Sequence, residues 1–222
     1  MIDLLPAIEI ETAPNPDATV IWLHGLGDDG NGWSQSVDAL GLPPAMAVRF
    51  LFPHAPMMPV AINNGMVMRA WYDIRDAELH ARADLPGVRR SQGQVEALIA
   101  RERTRGIATA RIVLAGFSQG GAIALYAGLR HPQRLAGIVA LSTYLIDPPS
   151  LAAEAAPANR DVPIFMAHGT HDPVVRLAWA EASRAALVAG GWDVEWHAYR
   201  MEHSAVIEEL AAAGEFLRRA LG

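Results

Sequence analysis

The chain has 222 residues, 51% of them hydrophobic, and a formal net charge of -6. This length predicts one domain spanning residues 1–222 with a sizeable core, and the charge disfavours nucleic acid or an anionic membrane surface as a partner. Cysteine and lysine are both absent, which excludes disulfides, thiol nucleophiles, cysteine-bound zinc and Schiff-base lysines.

Signals for secretion or membrane insertion are not evident. No Lys or Arg precedes Arg49, and the longest apolar stretch, residues 135–146, is interrupted by Gly, Ser and Thr. A secretory signal needs a basic start, and a membrane span needs a longer apolar run. We therefore expect a cytoplasmic protein without stable membrane insertion.

Short apolar runs alternate with helix-like stretches along the chain. This alternation predicts an α/β fold, with a mostly parallel, buried central sheet and helices on both of its faces. Segments 57–69 and 148–157 are predicted to be a long loop and a surface connection. The predicted strands are residues 19–24, 48–53, 111–116, 135–142, 163–169 and 194–199, and the predicted helices are residues 91–105, 119–130, 175–189 and 204–221.

The first predicted strand runs into HGLGDDGNGW, residues 24–33, which contains the G-x-G-x-x-G pattern of a dinucleotide-binding turn. Asp28 and Asp29 would repel a pyrophosphate. No acidic residue lies between Asp38 and Asp73, where a ribose-binding carboxylate is required. The pattern therefore fails as a dinucleotide site, and either the glycines only shape a turn or the loop has another use.

A second glycine cluster, GFSQGG from Gly116 to Gly121, follows the predicted strand at residues 111–116 and precedes a predicted helix. G-x-S-x-G alone is a weak signal, but its placement between strand and helix is that of a nucleophile elbow. The small residues around Ser118 would let strand and helix approach closely. The cluster favours Ser118 as a nucleophile over a glycine-rich turn with an idle serine.

A serine nucleophile needs a histidine base, which in this arrangement follows it in the chain. His131 is followed by a proline at a helix end, and His197 lies within a strand pattern, so both are predicted to be structural. His203 comes just after the last predicted strand and before the last helix. It has the position that the order Ser, acid, His requires.

The acid that orients the histidine should follow a strand, at the carboxyl edge of the sheet. Asp161 and Asp193 precede strands and lie at the wrong edge. Asp172 follows a predicted strand by three residues, in a turn that Pro173 biases away from helix. Asp147 trails its strand by more and is the alternative to Asp172.

A metal site is a competing interpretation of the same region, because His168, His171 and Asp172 carry ligand types that suit zinc or iron. Their spacing is loose, and no further protein ligand is evident. His168, at a strand end, is predicted to hydrogen-bond to the backbone in the core. We expect no metal ligands.

The predicted triad suggests a catalytic role for the first glycine loop, residues 24–33. Attack on an ester carbonyl creates an oxyanion, which this arrangement stabilises with two backbone N–H groups. One belongs to the residue after the nucleophile, Gln119, and the other to a loop after an early strand, where Leu26 lies between Gly25 and Gly27. A histidine base also predicts activity that rises with pH through roughly 6 to 7.

Four segments together, VIWLHGLGD, GFSQGGAIALY, AHGTHDPVV and YRMEHS, resemble the carboxylesterase and acyl-protein thioesterase family of α/β-hydrolases over nearly the whole chain. The resemblance implies an α/β-hydrolase fold and an active site without a cofactor. It implies Ser118 as nucleophile, His203 as base and Asp172 as orienting acid. Glu202 departs from the family, which usually has Gly before the catalytic histidine, and this makes the substrate range and pH optimum harder to predict.

The resemblance also places Ala70–Asp73 beside the acyl site. We expect Leu26, Trp71 and Val174 to contact substrate, although packing in the core or loops explains such residues equally well. The wider set of apolar residues near these loops is Leu26, Met57, Met58, Trp71, Tyr144, Leu145, Val174 and Val175.

The sequence thus predicts a serine carboxylesterase or thioesterase that hydrolyses small to medium acyl esters or thioesters through an acyl-enzyme. Two alternatives stay open: a lysophospholipase, which differs in leaving group and pocket, and a non-catalytic binding protein of the same fold. The expected partner is a small-molecule acyl ester or thioester, and a homodimer is left open.

Overall fold

A computed structural model describes residues 4–76 and 84–222. The strands are β1 (Ala7–Glu11), β2 (Ala18–Leu23), β3 (Val48–Pro53), β4 (Met57–Val60), β5 (Met66–Arg69), β6 (Ile112–Phe117), β7 (Gly137–Leu141), β8 (Ile164–Gly169) and β9 (Val194–Tyr199). The helices are α1 (Gly30–Ser34), α2 (Leu85–Thr104), α3 (Gln119–Arg130), α4 (Pro148–Glu154), α5 (Leu177–Ala189) and α6 (Ile207–Leu221).

Seven strands form the central sheet in the order β1-β3-β2-β6-β7-β8-β9. Strand β1 pairs antiparallel with β3, and every other neighbouring pair is parallel. All six strands predicted from the sequence are present in this sheet. The sheet with its helices confirms the predicted α/β-hydrolase architecture.

The inner strands are buried on both faces because their sequences are continuous apolar runs, as in ATVIWL of β2. One face packs against α2, α3 and α5 through residues such as Leu98, Ile123 and Leu187. The opposite face packs against α1 and α6 through residues such as Trp33 and Phe216. The predicted placement of helices on both faces is therefore confirmed.

Two segments predicted as irregular contain regular structure. Strands β4 and β5 form an antiparallel hairpin within the predicted loop 57–69, and Val60 opposes Met66 in it. Pro59 is accommodated because a two-stranded ribbon has two free edges. The predicted surface connection 148–157 contains α4, whose Leu151 is buried. Four- to seven-residue elements are too short to show a hydrophobic period.

The remaining differences concern short or atypical elements. Helix α2 begins at Leu85, before the predicted start at residue 91, because Pro86 lies in its first turn, where a missing N–H costs nothing. Strand β1 and helix α1 were not predicted, since each has five residues. No helix in the two described ranges is long and apolar enough to cross a membrane.

Candidate active site

Strand β6 lies at the centre of the sheet, and Ser118 directly follows it. Ser118 has φ 54° and ψ -121°. This left-handed conformation is strained for a serine and projects it between β6 and α3. A Cβ at Gly116 would lie 2.4 Å from the Gly120 carbonyl carbon, and one at Gly120 would lie 2.2 Å from the Leu23 oxygen. The strand-to-helix turn therefore requires glycine at both positions.

Ser118, His203 and Asp172 come together in one hydrogen-bonded series. The Ser118 Oγ lies 2.9 Å from Nε2 of His203, and Nδ1 of His203 lies 2.6 Å from Oδ2 of Asp172. Because a carboxylate only accepts, Nδ1 donates to it and Nε2 is left as the acceptor for the serine hydroxyl. This arrangement is suited to removing the serine proton.

The Asp172 carboxylate is buried and fully engaged. Its Oδ1 accepts hydrogen bonds from the N–H groups of Val174 at 2.8 Å and Val175 at 2.9 Å. Burial alone would raise the pKa of Asp172, but the His203 hydrogen bond and charge, together with these N–H bonds, outweigh it and hold the pKa below its ordinary value. The carboxylate is therefore ionised at neutral pH.

Sheet topology explains how residues distant in sequence meet. Asp172 follows β8 and His203 follows β9, and these two strands are parallel neighbours. Asp147, the alternative acid, lies at the start of α4 and lines a separate cavity with Tyr144 and Leu145. The carboxyl edge of the sheet thus brings Asp172, and not Asp147, to His203.

The other histidines have partners of their own. His131 Nδ1 lies 2.7 Å from Glu96, and His197 Nε2 lies 3.0 Å from Glu195. His168 Nε2 donates to the Val175 carbonyl at 2.8 Å, the backbone bond expected for it. Burial lowers the pKa of His168. His171 is exposed and contacts Thr170, and the described residues contain no cluster of three metal-ligand side chains.

The glycine loop after β2 lies beside the elbow. Gly27 has φ 79°, and its N–H donates to the Arg69 carbonyl at 2.9 Å. The Leu26 N–H makes no hydrogen bond within residues 4–76 and 84–222. The Gln119 N–H is the first of α3, and the first N–H groups of a helix have no intrahelical acceptor. Neither of the two N–H groups predicted to face an oxyanion therefore has a protein acceptor in the described part of the chain.

A cavity of about 510 Å³ opens at Ser118 and His203. Asp28 lies at one side of it, with Ser36 and Ser204 as further polar groups. Glu202 is exposed and is not among the described residues that line the cavity. The apolar lining consists of Leu26, Trp33, Phe117, Val174, Ala205 and Leu210.

Of the three predicted substrate contacts, Leu26 and Val174 line this cavity and Trp71 does not. Trp71 is only 1% exposed, and its indole N–H donates to the His24 carbonyl at 2.8 Å. The indole is therefore part of the protein interior behind the glycine loop. The structure thus places the Trp71 indole away from the cavity lining, where its N–H has the acceptor that a buried indole needs.

Phe117 is a residue of this site that sequence reasoning missed. Its ring centroid lies 4.7 Å from that of His203 and 5.2 Å from that of Trp33. The Phe117 ring therefore packs beside the His203 imidazole, whose Nδ1 bonds to Asp172. Phe117 is the variable position in G-x-S-x-G, and an aromatic residue there was the available signal.

Comparisons with known proteins agree with this geometry. Residues 6–221 match the family model described as Phospholipase/Carboxylesterase. "Acyl-protein thioesterase 1" of Gibberella zeae is 42% identical over 213 residues, covering 92% of this chain and 91% of that protein. "Acyl-protein thioesterase 1" of Yarrowia lipolytica is 39% identical, covering 93% of each chain.

Two solved plant structures are similar to this chain over most of its length. Arabidopsis thaliana SOBER1 superposes with a TM-score of 0.87 at 30% identity, covering 92% of this chain and 99% of that one. Zea mays acyl-protein thioesterase 2 superposes with a TM-score of 0.85 at 30% identity, covering 98% and 99% of the two chains.

Proposed function

The chain belongs to the phospholipase/carboxylesterase family of serine hydrolases, and on that premise we propose that Ser118, His203 and Asp172 are its catalytic triad. The observation that carries the proposal is the pair of hydrogen bonds, 2.9 Å from Ser118 to His203 and 2.6 Å from His203 to Asp172. The reaction is hydrolysis of an acyl ester or thioester through an acyl-enzyme.

In the first step, His203 Nε2 takes the proton of the Ser118 hydroxyl while Oγ attacks the carbonyl carbon. The carbonyl oxygen becomes an oxyanion that accepts hydrogen bonds from the Leu26 and Gln119 N–H groups. Asp172 holds the imidazole tautomer and offsets the imidazolium charge. The imidazolium then gives its proton to the departing alcohol or thiol, which leaves an acyl ester on Ser118.

In the second step, His203 takes a proton from water, and the resulting nucleophile attacks the acyl carbonyl carbon. A second oxyanion forms in the same place and collapses, which breaks the bond to Ser118 Oγ. The imidazolium returns its proton to the serine and the free acid leaves. His203 thus passes the serine proton to the leaving group and a proton of water to the serine. The enzyme regains its starting state without a cofactor.

The cavity supports small to medium apolar acyl groups as substrates. Its volume of about 510 Å³ and its lining by Leu26, Val174 and Leu210 suit a hydrocarbon chain. Asp28 at its side disfavours anionic groups nearby. The relatives named acyl-protein thioesterase support thioesters as substrates in addition to oxygen esters. A lysophospholipase differs in leaving group and pocket, and the family description, Phospholipase/Carboxylesterase, keeps it as a second candidate.

Hydrolysis of p-nitrophenyl esters and acyl thioesters of increasing chain length tests the function and ranks these substrates, with lysophospholipids as the third series. We expect Ser118→Ala to lower kcat by roughly 1,000-fold or more. Ser34→Ala, which changes a half-buried serine of α1 that does not line the cavity, is the control and should keep full activity. Equal activity of Ser118→Ala and the parent chain would refute the triad, and no turnover of any series would favour a binding protein.

A cytoplasmic location and a small-molecule substrate complete the proposal. Cell fractionation tests the location, and sedimentation of the purified protein distinguishes a monomer from a homodimer.

A further inference from the structure

Trp71 lies two residues after β5 and reaches the strand that carries the glycine loop. Its indole N–H donates to the carbonyl of His24 at 2.8 Å, and the two rings lie 5.3 Å apart. His24 is fixed in turn, because its Nε2 accepts the Ala55 N–H at 3.0 Å and its Nδ1 bonds the Gly25 carbonyl at 2.7 Å. The indole therefore holds the backbone just before Leu26.

The Gln119 side chain holds the same segment from the other side. Its Oε1 accepts the Trp71 backbone N–H at 2.9 Å, and its Nε2 donates to the Tyr72 carbonyl at 2.8 Å. Gln119 is also the residue whose own N–H begins α3. Ser91 of α2 completes the attachment by donating its hydroxyl to the Trp71 carbonyl.

These contacts form a closed connection between the two N–H groups proposed for the oxyanion. It runs from the Gln119 backbone through its side chain to Trp71, and from the indole to His24 and Leu26. His24, Trp71 and Gln119 are 1%, 1% and 2% exposed. None of them is among the described residues that line the cavity, so their side chains are not placed to contact substrate.

We propose that the Trp71 side chain and the Gln119 side chain are positioning residues that fix the spacing between the Leu26 and Gln119 N–H donors. This rests on the proposed function, since it assumes that the two N–H groups stabilise the oxyanion. The physical reason for such a connection is that a displacement of about 1 Å at a reacting centre can cost roughly 100-fold in rate. A loop held only by Gly25 and Gly27 would not keep that spacing.

Trp71→Phe tests the proposal by removing the indole N–H while keeping an aromatic ring. We expect kcat for a p-nitrophenyl ester to fall roughly 10- to 100-fold, while KM changes by less than about threefold, because ground-state binding does not use the oxyanion donors. Affinity for a trifluoromethyl ketone, whose adduct with Ser118 carries an oxyanion, should fall by a similar factor.

Trp192→Phe is the matched control. Trp192 is also buried, and its indole N–H donates to the Asn159 carbonyl at the same 2.8 Å, away from the cavity. Both variants should lose thermal stability, but only Trp71→Phe should lose kcat. Equal kcat values for the two variants, in an enzyme that Ser118→Ala inactivates, would overturn the positioning role while leaving the triad intact.

Gln119→Met provides a second, independent variant, since it removes both side-chain hydrogen bonds and keeps the backbone N–H. We expect a similar fall in kcat, and the double variant with Trp71→Phe should lose less than the product of the single losses, because one connection is broken twice. Should Trp71→Phe not fold, Gln119→Met decides by the same criterion. An inactive parent chain would instead refute the proposed function itself.

Discussion

At the scale of single residues, the site depends on hydrogen bonds that leave one proton arrangement available. Asp172 accepts from two backbone N–H groups through Oδ1 and from His203 through Oδ2. His203 must therefore carry its proton on Nδ1 and offer Nε2 to Ser118. The sequence could rank Asp172 above Asp147 from strand ends, but it could not show the two N–H bonds, because these depend on loop geometry.

Asp172→Asn tests this residue directly. The amide cannot accept all three hydrogen bonds, and its NH₂ group facing Nδ1 would favour the tautomer with the proton on Nε2. We expect kcat to fall by roughly 1,000- to 10,000-fold, with KM little changed. Asp147→Asn, the same change in the rejected alternative, should retain nearly full kcat, and the reverse result would exchange the two roles.

At the scale of elements, the site is assembled from the ends of β2, β6, β8 and β9, all of which the sequence predicts. Apolar runs locate such strands because a parallel sheet is buried on both faces. The hairpin β4–β5 and helix α4 escaped prediction because their stabilisation comes from tertiary contacts and not from a repeating pattern. The position of the Trp71 indole could not be predicted for the same reason, since its acceptor, the His24 carbonyl, is remote in sequence.

Helix α6 follows His203 closely and contains a buried acid. Glu209 is fully buried, and no side chain in the described part of the chain hydrogen-bonds to its carboxyl oxygens. Burial raises the pKa of Glu209 to about 8, and the Val206 N–H opposes this only in part. Glu209 is therefore protonated in the folded protein at neutral pH, where the same side chain in the unfolded chain is ionised.

The sign of the resulting pH dependence follows from proton binding. Between the ordinary pKa of 4.5 and about 8, the folded protein binds the extra proton, so the free energy of unfolding decreases as pH rises across this window. We expect Glu209→Gln to remove this decrease, with a gain on the order of 5 kcal/mol at pH 8.5 and little change at pH 4.5.

Thermal or urea unfolding at several pH values measures this effect. Glu208→Gln is the matched control. The Glu208 side chain is exposed, so this substitution should leave the pH dependence of unfolding unchanged. Identical pH slopes for Glu209→Gln and the parent chain would show that the buried carboxyl does not titrate in this range.

At the scale of the whole molecule, the fold brings side chains 85 and 31 residues apart into contact at one sheet edge. Motif order and strand ends were enough to predict that Ser118, Asp172 and His203 would meet, because parallel strands bring their carboxyl ends to one edge of the sheet. The cavity was harder to predict, since Leu26, Val174 and Leu210 come from three separate loops and helices. The lining of a pocket depends on how these elements pack, and no local sequence pattern predicts that packing.

The most direct test of the proposed triad is the rate at which a fluorophosphonate modifies the protein, compared between the parent chain and His203→Ala, with the modified residue mapped by mass spectrometry. Proton transfer from Ser118 to His203 predicts a single adduct on Ser118, formed roughly 1,000-fold or more slowly in His203→Ala. Equal rates in the two proteins, or an adduct on another residue, would contradict transfer of the Ser118 proton to His203.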